Sequence, residues 1–291
     1  MRKGTLRCTT LPFPTVQHTG KWVKSEMNTL IFGLGGSALN DVMWSDGTDI
    51  YWSYPIGNAV LIGNKWERKT WNVKDIYFGP DVWTDGVNIY YSSNSTQYVL
   101  VDGAWEPKAW NVAVNGRNVW SDGLNIYYTE ISESQGTNHS YALDNGTWKP
   151  KTWHGIDDVD YFTGEYIWSD GVRIYCSFGS RQYVLNGDSW EKKTWNIRYV
   201  YGDELWTDGV YIYFNNDESC YVLQGDEFVD KDWNIPIEVG TFVWTNGVDI
   251  YYSYEDAQYI LERTQPTDLD PGSMLMGWLA GRAVASKRLK Q

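Results

Sequence analysis

The sequence predicts an all-β fold: a six-bladed β-propeller closed by a strand from the N-terminus, with a short C-terminal α-helix after it. Three observations carry this. The tetrapeptide W-[ST]-[DN]-G begins at Trp44, Trp83, Trp120, Trp168, Trp206 and Trp244, at intervals of 39, 37, 48, 38 and 38 residues. A period near 40 residues is that of a four-stranded propeller blade. Each copy then runs through the same short apolar segments with glycine turns between them. Finally, the series is out of phase at its ends, which is the signature of a ring closed across the termini.

Residues 1–19 form an N-terminal arm with three basic residues, Arg2, Lys3 and Arg7, and no apolar run, so no signal peptide is expected. Each unit then reads as four strands. The first ends at W-x-D-G, whose Asp-Gly suits the positive φ of a two-residue hairpin. The second holds an Ile-Tyr pair, from Ile50-Tyr51 to Ile250-Tyr251, and the third an apolar triplet such as Tyr98-Val99-Leu100. A turn such as Asp102-Gly103 or Asn145-Gly146 leads to the fourth, of the type WEPKAW. The last unit stops after Tyr259-Ile260-Leu261, whereas Lys21-Trp22 stands near the N-terminus as a fourth strand with no unit of its own. That strand is expected to complete the last blade, removing the exposed sheet edges of an open array. The propeller therefore spans 20–263 and the tail 264–291.

Composition agrees. Tyrosine (22), tryptophan (18) and glycine (28) are abundant and phenylalanine (8) is not, a mix for short strands and tight turns. All the tryptophans except Trp52 and Trp278 fall on repeat positions and read as blade core. The recurring Lys69, Lys108, Lys151, Lys193 and Lys231 read as stems laid over those rings with the ammonium groups in water. A net charge of −13 argues against non-specific nucleic-acid binding. Three scattered cysteines, Cys8, Cys176 and Cys220, give neither a disulfide framework nor a metal pair. The longest uncharged apolar stretch, Pro271 to Gly281, is too short to span a membrane. No cofactor or metal site is expected.

The Ile-Tyr-Tyr, Tyr-Val-Leu, Gly, W-E-x-K-x-W series resembles the kelch type of propeller repeat. It departs from kelch after the second strand, where a Gly-Gly pair is replaced by residues such as Ser92-Ser93.

Length variation falls at one end of the blades. Between the second and third strands unit three has an insertion, Thr129 to Ser140, and the connection from Trp153 to Trp168 is long. These contribute Glu130, Glu133, His139, His154, Asp157, Asp158, Asp160, Tyr161 and Phe162 as a candidate ligand-binding face. The opposing reading, solvated loops that drift, has equal weight. No HExxH, G-x-S-x-G or phosphate-binding glycine loop occurs, so no catalytic set is assigned. In the tail, Asp270 and Pro271 read as a helix start, and Met274, Leu275, Trp278 and Leu279 as an apolar stripe at helical spacing. The stripe either folds back on the propeller or docks into a partner.

The ending DPGSMLMGWLAGRAVASKR resembles a C-terminal signature of tail-associated proteins of phages and prophages of Gram-positive bacteria. The resemblance implies a virion component made in the bacterial cytoplasm. It would be held to other tail proteins through the C-terminal helix and would present the propeller to a host glycan or protein. The expectation on these grounds is a non-enzymatic binding or assembly module. The alternatives are a glycan-acting hydrolase or lyase on a propeller scaffold, and a cytosolic kelch-like interaction scaffold.

Overall fold

A computed structural model describes residues 18–25, 42–46, 48–54, 57–73, 81–93, 96–132, 137–156, 166–216, 219–235, 237, 243–245, 249–254 and 257–263. Most of the arm and the whole tail, with its expected helix, lie outside them. The architecture is a six-bladed propeller. Blade 1 is Val42–Ser45, Ile50–Tyr54, Gly57–Ile62 and Lys65–Lys69. Blade 2 is Val82–Thr84, Ile89–Ser93, Thr96–Val101 and Ala104–Pro107. Blade 3 is Val119–Ser121, Ile126–Ser132, Thr137–Asp144 and Thr147–Lys151. Blade 4 is Ile167–Ser169, Ile174–Gly179, Arg181–Asn186 and Ser189–Lys192, with Val200–Tyr201 added against its second strand. Blade 5 is Leu205–Thr207, Ile212–Asn215, Cys220–Gln224 and Glu227–Asp230. Blade 6 is Val243–Thr245, Ile250–Tyr254, Ala257–Arg263 and the N-terminal strand His18–Lys24.

Ring closure is direct. Trp22 pairs with Leu261 and Lys24 with Tyr259, so the first described strand is the outer strand of the last blade. Within each blade burial falls from first strand to fourth: the first strand of blade 2 is buried throughout, its fourth largely exposed. The first strands therefore form the inner wall.

Three devices repeat around the ring, each built on residues that the periodicity picks out. In the W-x-D-G turns the aspartate does two jobs. Asp85 Oδ1 accepts from the N–H groups of Val87 and Asn88 at 2.9 and 2.7 Å, and Oδ2 accepts from the Tyr90 hydroxyl at 2.7 Å. Asp122, Asp170 and Asp208 do the same for Tyr127, Tyr175 and Tyr213. This corrects the expected two-residue hairpin. The loop is four residues long, Thr84 pairing with Ile89, and only its glycine takes positive φ (Gly86, 94°). The two-residue turns are those between third and fourth strands, with φ of 48° at Asp102 and 77° at Gly103.

The second device joins blades. The asparagine after the last tryptophan of a unit clasps the fourth strand of the next blade. Asn72 accepts from Trp105 N–H at 2.8 Å and donates to its carbonyl at 2.9 Å. Asn111 with Trp148, Asn196 with Phe228, and Asn234 with Trp22 repeat it, the last across the closing seam. Between blades 3 and 4 the position is His154, and backbone bonds from His154 to Asp188 and from Trp190 to His154 take over. The third device is the lysine ring. Lys69, Lys108, Lys151, Lys193 and Lys231 place Nζ 4.4–4.7 Å from the ring centroids of Trp71, Trp110, Trp153, Trp195 and Trp233, a cation–π cover on the core.

Candidate functional site at the channel mouth

The antiparallel order puts the first-to-second and third-to-fourth turns at one end of the ring. The second-to-third loops and the segments running into each first strand lie at the other. At that second end, two residues before the repeat tryptophans, the described blades differ: Val42, Asp81, Asn118, Tyr166 and Glu204. Asp81, Asn118 and Glu204 are buried, at 8%, 6% and 5% exposure. Each lies where a first strand begins, level with a buried polar residue of the second strand: Ser92, Thr129 and Asn215, all 0% exposed. The Trp83 indole donates to Ser92 Oγ at 3.1 Å and the Trp206 indole to Asn215 Oδ1 at 2.7 Å, so the core side of this polar layer is bonded to the blade tryptophans.

Two short 3₁₀ turns set the geometry. Gly116–Asn118 carries Arg117, whose Nε reaches Asp81 Oδ1 at 3.2 Å. The Asn115 side chain caps this turn by accepting from Arg117 N–H at 3.0 Å. Gly116 has to lack a side chain, since a Cβ would lie 2.2 Å from the Asp81 carbonyl oxygen. The equivalent turn in blade 5, Gly202–Glu204, presses on blade 4 in the same way, a Cβ on Gly202 falling 2.4 Å from the Tyr166 carbonyl oxygen. Beside it Tyr166 packs on Phe178 (4.7 Å between centroids), and Phe178 meets Tyr201 edge-on at 5.8 Å. The starts of the first strands of blades 2 to 5 thus carry two buried carboxylates, one guanidinium, an amide and an aromatic cluster. Among the described residues no group of three or more His, Cys, Asp or Glu side chains could hold a metal ion.

The residues singled out by loop length fare differently. The insertion in blade 3 is no irregular loop. Its strands continue as a hairpin to Ser132 and Thr137, with Glu130 opposite His139, because the segment keeps Ile and Thr residues that suit an extended ladder. Tyr141 donates to Glu130 at 3.2 Å and His139 is exposed. His154 is exposed and held by its backbone. Glu133, Asp157, Asp158, Asp160, Tyr161 and Phe162 lie outside the described residues, as do Met274, Leu275, Trp278 and Leu279. Neither described cysteine carries an activated thiol: Cys176 is buried and desolvation pushes its pKa up to about 12, and Cys220 is also raised by burial.

No family model and no curated protein matches the chain. Solved structures do. A provisionally named gluconolactonase is 10% identical, with 90% of this chain and 98% of that chain covered at a TM-score of 0.54. A gluconolactonase from Xanthomonas campestris is 9% identical over 91% and 99% at 0.46, and BamB from Moraxella catarrhalis 12% over 86% and 100% at 0.44. The first likeness establishes the propeller and corrects the functional expectation. The shared fold is that of a protein named for a hydrolase, which removes the ground for a non-enzymatic module and for the reading that the chain is no enzyme. The phage-tail function goes with it. No helix among the described residues is long and apolar enough to cross a membrane.

Proposed function

We propose that this protein is a propeller hydrolase that opens a small sugar-derived lactone at the channel mouth. The observation that carries the reading is the pair of buried carboxylates, Asp81 and Glu204, at a blade position that Val42 and Tyr166 fill elsewhere without charge. Buried acids are costly to a fold that does not need them and concentrate at working sites. The likeness to a provisionally named gluconolactonase supports the same class. In this reading Glu204 takes a proton from water as it adds to the lactone carbonyl. Arg117, oriented by Asp81, and Asn118 donate to the oxyanion that forms. The ring C–O bond then breaks and the proton is returned to the leaving ring oxygen. The Tyr166 and Phe178 rings offer an apolar face to the sugar carbons.

The test is acid release from a panel of aldonolactones, followed with a pH indicator, alongside chromogenic glycosides. Turnover of lactones is expected, with Glu204→Gln lowering kcat/KM by about 100-fold or more at an unchanged melt. An inert wild-type protein, or a Glu204→Gln variant as active as the parent, overturns the reading.

A further inference from the structure

We propose that the mouth carries a second sugar subsite, built by Arg198, Tyr199 and Tyr201 at the edge of blade 4, so that the lactone opened here is the end unit of an oligosaccharide. The inference rests on the lactone reading and extends it outward from Tyr166. Among the described residues only two aromatic side chains are exposed, Tyr199 at 44% and Tyr211 at 45%. Tyr211 sits at the hairpin-tip end, against Tyr213 at 6.4 Å. Tyr199 sits at the mouth end, in the segment that runs from blade 4 into blade 5. The fold does not call for an aromatic there. Counted from the glycine four residues before the repeat tryptophan, the blade 3 counterpart of Val200 is Val114, and both are 0% exposed. The counterpart of Tyr199 is Ala113, also exposed.

The segment is held rigidly. Val200 and Tyr201 pair with Gly179 and Phe178, and the Gln182 side-chain amide donates to the carbonyls of both Gly179 and Val200. Gly179 has a φ of 62°, and a Cβ on it would lie 3.4 Å from Tyr201 Oη and 3.8 Å from Tyr199 Cδ1. The two phenol rings therefore converge over bare backbone. From Tyr201 the aromatic row continues inward through Phe178 at 5.8 Å to Tyr166 at 4.7 Å. Tyr201 also caps the 3₁₀ turn that carries Glu204, so the row leads from the proposed reaction site to solvent. Outside it, the Arg198 guanidinium lies 4.8 Å from the Tyr199 ring centroid. Arg117 and Arg173 are paired with aspartates, whereas Arg198 is exposed and has no carboxylate partner among the described residues. These groups match a pyranose. Its C–H face carries partial positive charge that the negative face of an aromatic ring attracts. Its hydroxyl rim accepts from the guanidinium and phenol donors. The net charge of −13 disfavours a polyanion in the same place.

The experiment is titration calorimetry on the full chain with alditol-ended trisaccharides of glucose, galactose and mannose units, which contain no lactone, and with the monosaccharide alditols as reference. At least one trisaccharide should bind at least about tenfold tighter than its monosaccharide. Tyr199→Ala and Arg198→Ala, both at exposed positions, should weaken that binding at least about fivefold at an unchanged melt. Tyr199→Phe, which keeps the ring, should stay within about twofold of the parent. Tyr211→Ala removes the other exposed tyrosine and should change nothing. A protein that binds no trisaccharide tighter than its monosaccharide overturns the proposal, as does Tyr199→Ala binding like the parent or Tyr211→Ala losing as much. Lactone turnover with no preference for chain length overturns this subsite and leaves the lactone reading standing. Tyr199-dependent binding by a protein inert toward every lactone does the reverse.

Discussion

Replacing Trp22 with alanine tests whether the ring is held shut by the N-terminal strand. Trp22 is 2% exposed and packs on Trp206, Trp233 and Tyr252 at centroid distances of 6.0, 5.9 and 5.8 Å. Its backbone is clasped by Asn234 at 2.7 and 2.8 Å. Removing a side chain that buries about 200 Å² at about 25 cal/mol per Å² loses roughly 5 kcal/mol, and measured tryptophan truncations run at about 3–5 kcal/mol. At about 2–4 °C per kcal/mol for a domain of this size, the melt should drop by roughly 6–20 °C. Calorimetry gives the shift. Hydrogen exchange should show His18–Lys24 and Ala257–Arg263 losing protection together, because they are hydrogen-bonded partners. A Trp22→Ala variant melting within about 1 °C of the parent would refute closure through this strand.

Two further outcomes follow from the repeated devices. The hydroxyls of Tyr51, Tyr90, Tyr127, Tyr175 and Tyr213 are raised above the ordinary range by burial first and then by the turn aspartates, and burial takes Tyr128 up to about 12. Because the folded values exceed the unfolded one, this stabilisation is complete below about pH 10 and is lost as pH rises through the folded values; absorbance at 295 nm should show these six tyrosines ionising only as the fold is lost, as a late step of the titration. Gly116→Ala should cost about 1–3 kcal/mol by overpacking and reduce lactone turnover by displacing the Asp81–Arg117 pair; an unchanged melt and unchanged activity would show that the turn relaxes freely.

The ring was legible in the sequence because its determinants are periodic. The repeat tryptophans, the third-to-fourth glycine turns and the orphan strand at Trp22 recur at fixed offsets, and pairing follows from them. The channel mouth was not legible by that route, since attention to length variation leads to the blade 3 insertion, which the structure shows as a longer hairpin. The informative signal was variation without insertion: Val42, Asp81, Asn118, Tyr166, Glu204 and Phe242 alternate in chemistry at one register position. A glycine four residues before the repeat tryptophan recurs in five units, Gly79, Gly116, Gly164, Gly202 and Gly240, and at Gly116 and Gly202 it marks the tight approach that delivers Asn118 and Glu204. The turn-aspartate to tyrosine bond and the asparagine clasp also sit at fixed offsets, but as side-chain pairings they became visible only in three dimensions.

Positions that hold the ring and positions that distinguish its blades are thus separate. The turn aspartates are each bonded by a tyrosine hydroxyl and two backbone N–H groups in blade after blade, so their charge is absorbed by structure. Asp81 and Glu204 belong to no such series. Blades 1 and 4 fold with valine and tyrosine in their place, so the blade itself supplies no reason to bury a carboxylate there. The Asp81–Arg117 pair, its arginine side chain 33% exposed, is weak evidence for stability, because solvent screening and desolvation offset much of its attraction. What the pair does provide is a guanidinium held at a fixed place on the inner wall, one blade from Asp81 and two from Glu204. Among the described residues this is the only part of the inner wall where the repeat gives up uniformity for charge, and that is why the proposed lactone chemistry is placed there.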